Sequence, residues 1–210
     1  MKTREANLFR VVAAMYEIVN INYKMIPEDL NAYQKGFLNE VYNSLGGKQD
    51  VPPLNFGRWD IVTKDFIIEL DEEQHFNRYR KKTLDSSLYD NHPWFDIENY
   101  KKYCTEKESE CKKKAQHGGY WANASTEKQF GKASEEGDLS GNGSPRWKQR
   151  AFYDFCRDLY SIVFEIPVYR FSIYDVFNMN NTNIELGKAL ENGNNPAIKF
   201  YVAKQIKTKV

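Results

Sequence analysis

The sequence has little of three things: cysteine, long apolar runs and net charge. Three cysteines are an odd number and too few for a disulfide scaffold, which favours a reducing, cytoplasmic location. No stretch approaches the roughly 18 consecutive apolar residues that a membrane span needs. The first residues lead into a helical pattern that contains an acid, rather than into an apolar secretory segment. We therefore expect no membrane partner.

The near-zero net charge hides a gradient along the chain. The formal charge of +1 argues at first against a nucleic-acid partner, which usually requires a basic excess. However, residues 1–73 contain 8 basic and 12 acidic residues, whereas residues 146–210 contain 10 and 6. One interpretation is chance. The other is that some front-half carboxylates bind metal, which leaves more positive charge for a polyanion.

The 210 residues contain enough apolar material, 41% with 15% aromatic, for one domain with a real core. Helical and strand patterns alternate, which predicts an α/β fold with a mixed central sheet flanked by helices. Residues 1–83 hold helices and a β-hairpin, 84–145 form a polar, aromatic insertion, and 146–210 complete the core. The predicted elements are helices at about 4–20, 27–45, 72–82, 145–164 and 183–192, strands at 58–62, 66–71 and 168–171, and an edge strand or tail at 198–206.

Three acids are predicted to converge on the hairpin. Glu69 and Asp71 are two residues apart on one strand and therefore share a face, and Asp60 lies on the neighbouring strand. Carboxylates this close repel one another unless a cation compensates, and hard oxygen ligands select Mg²⁺ or Mn²⁺. Such an ion can lower the pKa of a water and stabilise charge on a phosphate. The alternative is that the acids are solvated strand ends.

The pattern of Asp60, eight residues, then Glu69-Leu70-Asp71 resembles the PD-(D/E)XK nuclease signature in a form without lysine. The following His75, the later Asp154-Phe155-Cys156-Arg157-Asp158 and the strand Tyr169-Arg170-Phe171 are similar to the very-short-patch-repair-like branch. This resemblance implies a restriction-endonuclease-like core. It also implies a Mg²⁺- or Mn²⁺-dependent DNA endonuclease of restriction, repair or mobile-element type, leaving 5′-phosphate and 3′-hydroxyl ends.

The resemblance also implies roles for individual residues. Asp60 would be the central metal ligand and Glu69 a second, while Asp71 stands where many relatives have lysine and completes the predicted metal set. His75 would act as general acid or base, and Glu40 would reach the site from an N-terminal helix. Without the lysine, the residue that holds the attacking water stays open between Lys64, Gln74 and His75.

Basic and polar residues supply candidates for nucleic-acid binding, because arginine and lysine neutralise phosphates. The favoured cluster begins a predicted helix, and a second lies after the hairpin, although either could be a solvated helix face. The insertion would supply substrate recognition, and a homodimer is one expectation, because a double-strand cut usually needs two sites. The candidates are Arg146, Lys148, Gln149 and Arg150, together with Arg78 and Arg80.

Other functions remain open at this stage. Cys104, Cys111 and His117 could bind zinc, but their spacing is loose, and free thiols are the alternative. A non-catalytic nucleic-acid-binding protein could retain the nuclease fold. A structural protein could use the same acids in salt bridges with Arg58, Arg78 or Arg170.

Overall fold

A computed structural model describes residues 3–90 and 92–207 of the chain. Short 3-10 turns at Pro27–Asp29, Glu73–His75, Ser87–Tyr89 and Gly118–Tyr120 connect the longer elements. Those elements are α1 Thr3–Ala13, α2 Ala32–Ser44, β1 Ile61–Val62, β2 Ile67–Asp71, α3 Arg78–Thr83, α4 Ile97–Glu106, α5 Glu108–Ala115, α6 Ala124–Phe130, α7 Pro145–Val163, β3 Val168–Ser172, β4 Val176–Met179, β5 Thr182–Glu185, α8 Leu186–Glu191 and α9 Asn195–Lys207.

The sheet that positions the site has the strand order β1-β2-β3. Strands β1 and β2 form an antiparallel hairpin, in which Ile61 pairs with Ile68. Strands β2 and β3 are parallel, and Glu69 pairs with Arg170. A parallel pair needs a long crossover, and here it runs through α3 to α7. Strands β4 and β5 form a separate two-stranded hairpin.

Helix α7 is the central helix of the crossover, and local sequence signals define its start. The Ser144 side chain accepts a hydrogen bond from the Trp147 N–H, and Pro145 occupies the first turn, where its missing N–H costs nothing. The apolar face includes the fully buried Phe152, Phe155 and Leu159. This packing also buries polar residues of α7, and these become part of the site.

The polar segment at 84–145 contributes to both apolar clusters of the described residues. Phe95, Tyr100 and Phe130 belong to the main core together with the sheet. Trp121 packs edge-to-face against Trp147 of α7, with ring centroids 5.5 Å apart, in a second, smaller cluster. The aromatic residues that distinguish this segment therefore attach it to α7.

The predicted α/β class is confirmed, and so are the hairpin, α7 and β3. The prediction for 198–206 is wrong, because these residues lie in α9 and bury Ile198, Tyr201 and Val202. The first helix is shorter than predicted, because Ile18 bridges to Thr63 and extends the chain beside the hairpin. No helix in the described part of the chain is both long enough and apolar enough to span a membrane.

Candidate active site

Two hairpin carboxylates meet at one edge of the sheet. The backbone N–H of Asp60 donates to Glu69 Oε1 at 3.1 Å, and the backbone N–H of Leu70 donates to Asp60 Oδ2 at 2.8 Å. These reciprocal bonds follow from the hairpin register, which places position 60 opposite position 69. The structure therefore brings Asp60 and Glu69 together, as the strand pattern predicts.

Both carboxylates line a pocket of about 280 Å³ that is also lined by basic residues. The hairpin supplies Asp60 and Glu69, and α7 supplies three arginines and a tyrosine. The pocket thus brings carboxylates, guanidinium groups and aromatic rings together in one small space. The lining residues are Glu5, Phe56, Asp60, Glu69, Leu70, Glu72, His75, Arg146, Arg150, Tyr153 and Arg157.

Burial strongly disfavours the charged forms of these two acids. It raises the pKa of Glu69 from its usual 4.5 to about 8, with Arg157 opposing the shift and Asp60 adding to it. Burial likewise raises the pKa of Asp60 to about 6, against the hydrogen bond from Leu70. Arg157 Nε lies 3.2 Å from Glu69 Oε2 but makes no hydrogen bond. Within the described residues Asp60 has no ion pair, so the two acids are under-compensated.

Asp71 has a different environment, although it shares the strand face of Glu69. Its carboxylate accepts two hydrogen bonds from Arg170 Nη1, at 2.8 and 2.9 Å, and it is 1% exposed. Arg170 also donates to Asp158 Oδ1 at 2.6 Å, and Asp158 in turn accepts from Arg80 at 2.7 Å. These carboxylates and guanidinium groups neutralise one another in the interior. Asp71 does not line the pocket, and its predicted place among the metal ligands stays a prediction.

His75 connects the ion-pair network to the pocket. Its Nδ1 lies 2.8 Å from Asp154 Oδ2 and 3.2 Å from Asp71 Oδ1, while the residue lines the pocket. Burial opposes ionisation of Asp154, but His75 and Arg170 hold the pKa of that carboxyl well below its usual range. A permanently charged Asp154 therefore orients the imidazole, as in other carboxylate–histidine pairs.

Two groups of side chains could hold a cation, and the charge balance distinguishes them. In the described part of the chain, ligand atoms of Asp71, His75 and Asp154 lie within 4.8 Å of one another. The guanidinium of Arg170 already binds both acids of that group, and it would repel a divalent ion. Asp60 has no ion pair among the described residues, Glu69 has only Arg157 beside it, and both acids line the pocket. They are the better candidates for a metal.

Comparison with known protein families decides where this chain belongs. Residues 40–192, most of its length, match the model of a family described as a family of unknown function, DUF7255. The chain belongs to this family. Neither a curated protein nor a solved structure gives a significant match. The part matched to DUF7255 contains the hairpin, α7 and β3, and so nearly all of the pocket.

The structure separates the predicted nucleic-acid contacts of this DUF7255 member into two sets. Arg146 and Arg150 line the pocket. The others are engaged within the protein and are corrected here. Arg80 of α3 is 1% exposed and bonded to Asp158. On α7, Lys148 Nζ donates to Asn142 and Gln149 Nε2 donates to Gln129, because the 84–145 segment packs against these two residues. Arg78 is half exposed but binds Glu108.

The N-terminal acid at the pocket is Glu5, not Glu40. Glu40 is exposed on α2 and does not line the pocket, so its predicted role is corrected. Glu5 lies in the first turn of α1. No local signal distinguishes these two helical acids, because only the packing of α1 against the rest of the chain selects Glu5. Phe56 was missed for the same reason, since it precedes the hairpin in irregular chain.

Cys104, Cys111 and His117, the candidates for zinc, do not form a metal-binding group among the described residues. Cys104 and Cys111 are buried free thiols, and burial raises the pKa of each to about 12. His117 is largely exposed and contacts Glu136 at 2.9 Å. The two thiols are therefore protonated core side chains at neutral pH rather than thiolate ligands.

Proposed function

We propose that the protein is a divalent-metal-dependent nuclease that hydrolyses phosphodiester bonds in DNA. The observation that carries this proposal is the under-compensated pair Asp60 and Glu69, which shares a small pocket with three arginines. A phosphate in this pocket would meet both a cation held by the carboxylates and guanidinium groups. That charge arrangement suits a dianionic phosphorane-like transition state.

The two carboxylates would hold Mg²⁺ or Mn²⁺. Their oxygens are hard ligands, and a cation would offset the burial cost that raises their pKa values. When bound, such an ion polarises a phosphoryl oxygen and lowers the pKa of a water. The strongest support is that the hairpin holds the buried Glu69 beside the half-buried Asp60, with one arginine, Arg157, next to Glu69.

His75 would transfer the proton in this reaction. Asp154 engages Nδ1, so Nε2 is the nitrogen through which the imidazole would act on a group in the pocket. The nuclease resemblance leaves the base open among three residues, and position favours His75, which lines the pocket, whereas Lys64 and Gln74 do not. In the proposed reaction, water attacks phosphorus in line and leaves 5′-phosphate and 3′-hydroxyl ends.

The order of elements supports the same function. The elements follow one another in the order that the PD-(D/E)XK resemblance implies. They are a helix, the hairpin with Asp60 and Glu69, the helix with Asp154 and Arg157, and the strand with Arg170. The salt-bridge alternative fits Asp71, which Arg170 neutralises, but it leaves Asp60 without an ion pair among the described residues. A non-catalytic DNA-binding protein would account for the basic residues of the pocket but not for its acidic ones.

The test is cleavage of plasmid and single-stranded DNA in Mg²⁺ and in Mn²⁺. We expect the Asp60→Asn variant to lose divalent-dependent cleavage entirely, down to the level of a protein-free control. The substitution removes the negative charge of a metal ligand while the side chain keeps nearly the same shape. Glu40→Gln is the matched control, since Glu40 is exposed away from the pocket, and it should cleave like the wild type. Cleavage by Asp60→Asn equal to that by Glu40→Gln would refute the proposal. End mapping should give 5′-phosphates.

A further inference from the structure

Arg150 is a half-buried arginine with one guanidinium nitrogen that the described part of the protein does not satisfy. It lines the pocket from α7, and its Nη1 is inaccessible and has no hydrogen-bond partner within the described residues. The nearest acid on its own helix is Asp154, one turn later, and that carboxylate instead binds His75 and Arg170. Burial lowers the pKa of Arg150, and the neighbouring Arg146 lowers it further. The two arginines therefore repel each other at one wall.

The other buried arginines around the site show that this arrangement is unusual for the molecule. Arg80 binds Asp158, Arg170 binds Asp71, and Arg157 lies beside Glu69. A buried charge is costly unless it is paired, and leaving one unpaired is strongly destabilising. Arg150 has no such acid. What it lacks is an anion. Nη1 itself is inaccessible, so an anion in the pocket would bind the other nitrogens of the guanidinium and offset its charge.

We propose that Arg150 and Arg146 form a phosphate-binding subsite in the pocket that Asp60 and Glu69 also line. Arg146 donates to the amide oxygen of Gln149, a neutral acceptor that leaves its charge available. Guanidinium groups bind phosphate oxygens through paired, charge-assisted hydrogen bonds. The ligand is therefore a phosphate oxyanion, which inorganic phosphate or a nucleic-acid phosphate could supply. Assigning the natural ligand to a DNA phosphate rests on the proposed function.

The size of the pocket bears on which part of a nucleic acid enters. At about 280 Å³ it lies at the lower end of the range for small-molecule sites, with room for a phosphate and the atoms next to it. Tyr153 and Phe56 line the same space and offer aromatic faces to a sugar or a base. A strand would thus place a single phosphate in the pocket that the arginines and the carboxylates share.

The subsite is tested without catalysis, by binding inorganic phosphate to the full chain in EDTA at constant ionic strength. Thermal shift and calorimetry should show saturable stabilisation of the wild type. We expect Arg150→Gln to weaken phosphate binding at least about tenfold, because it removes a charge-assisted pair of bonds. Arg78→Gln is the matched control, since Arg78 binds Glu108 outside the pocket, and it should bind phosphate like the wild type. Equal binding by Arg150→Gln and Arg78→Gln overturns the subsite.

Two further arms keep the result interpretable. Arg146→Gln removes the like charge beside Arg150, so it should fold and still weaken phosphate binding; unchanged binding by this variant counts against the subsite. A short DNA oligonucleotide in EDTA should compete with phosphate in the wild type and lose affinity in Arg150→Gln. Glu69→Gln should retain phosphate binding. If the wild type cleaves DNA but does not bind phosphate, the subsite fails and the nuclease proposal stands. If the wild type binds phosphate but does not cleave DNA, the nuclease proposal fails and the subsite stands.

Discussion

Replacing Arg170 with methionine is expected to destabilise the protein by about 3–5 kcal/mol, which lowers the Tm by roughly 10–15 °C. Arg170 binds Asp71 through Nη1 and Asp158 through Nε, and its Nη2 lies 3.4 Å from Asp154 Oδ1. The side chain itself is fully buried. Removing it takes a counterion from three interior carboxylates. Asp158 keeps Arg80 and Asp154 keeps His75, but Asp71 retains only His75, at 3.2 Å, among the described residues, so the interior is left with excess negative charge.

Urea unfolding followed by circular dichroism measures this effect. The control is Arg78→Met, because Arg78 is half exposed and its pair with Glu108 should contribute less than about 1 kcal/mol. The double variant Arg170→Met with Asp71→Leu should recover part of the loss, since removing both partners of a buried pair is less costly than removing one. A Tm for Arg170→Met within about 2 °C of Arg78→Met would contradict the described network.

Glu69→Gln is expected to abolish metal binding while stabilising the metal-free protein at alkaline pH. Burial raises the pKa of Glu69 to about 8 in the folded state, against a usual value of 4.5. A carboxyl with a raised folded-state pKa contributes stability below the unfolded-state pKa and loses it as pH rises through the folded-state value. In EDTA, the free energy of unfolding of the wild type should therefore fall between about pH 5 and pH 8, by up to about 1.4 kcal/mol per pH unit.

The glutamine variant has no proton to lose at this position. Its unfolding free energy should change less across the same range and exceed that of the wild type at pH 9 by an amount on the order of 3 kcal/mol. Adding Mn²⁺ should stabilise the wild type by roughly 2.7 kcal/mol at a hundredfold excess over Kd, with little effect on the variant. Parallel pH profiles for the two proteins, or an equal response to Mn²⁺, would count against this account of Glu69.

The sequence was sufficient for the parts of the site that depend on local pattern. A strand alternates its side chains and a tight hairpin sets its own register, so Asp60 and Glu69 could be placed together from their spacing. The apolar stripe and the Ser144-Pro145 start likewise predicted α7. These features involve residues close in sequence, where few alternative arrangements compete.

The rest depended on long-range packing that no local pattern specifies. Asp71 looked equivalent to Glu69, but the parallel pairing of β3 brings Arg170 close enough to bind Asp71 instead. Arg80 and Arg150 both looked like surface charges for DNA. Packing of α3 against α7 buries Arg80 onto Asp158, whereas Arg150 is left at the pocket without an acid.

The parallel pairing of β2 with β3 also has a consequence for biosynthesis. Asp71 and Arg170 contact each other although 99 positions separate them in the chain. At a translation rate of about 5–20 residues per second, the acidic hairpin leaves the ribosome roughly 5–20 seconds before its arginine. Closing so long a loop is also entropically costly and slow compared with forming a hairpin or helix. During this interval the hairpin of the nascent chain lacks Arg170. The buried ion pair between Asp71 and Arg170 forms only after β3 has been made.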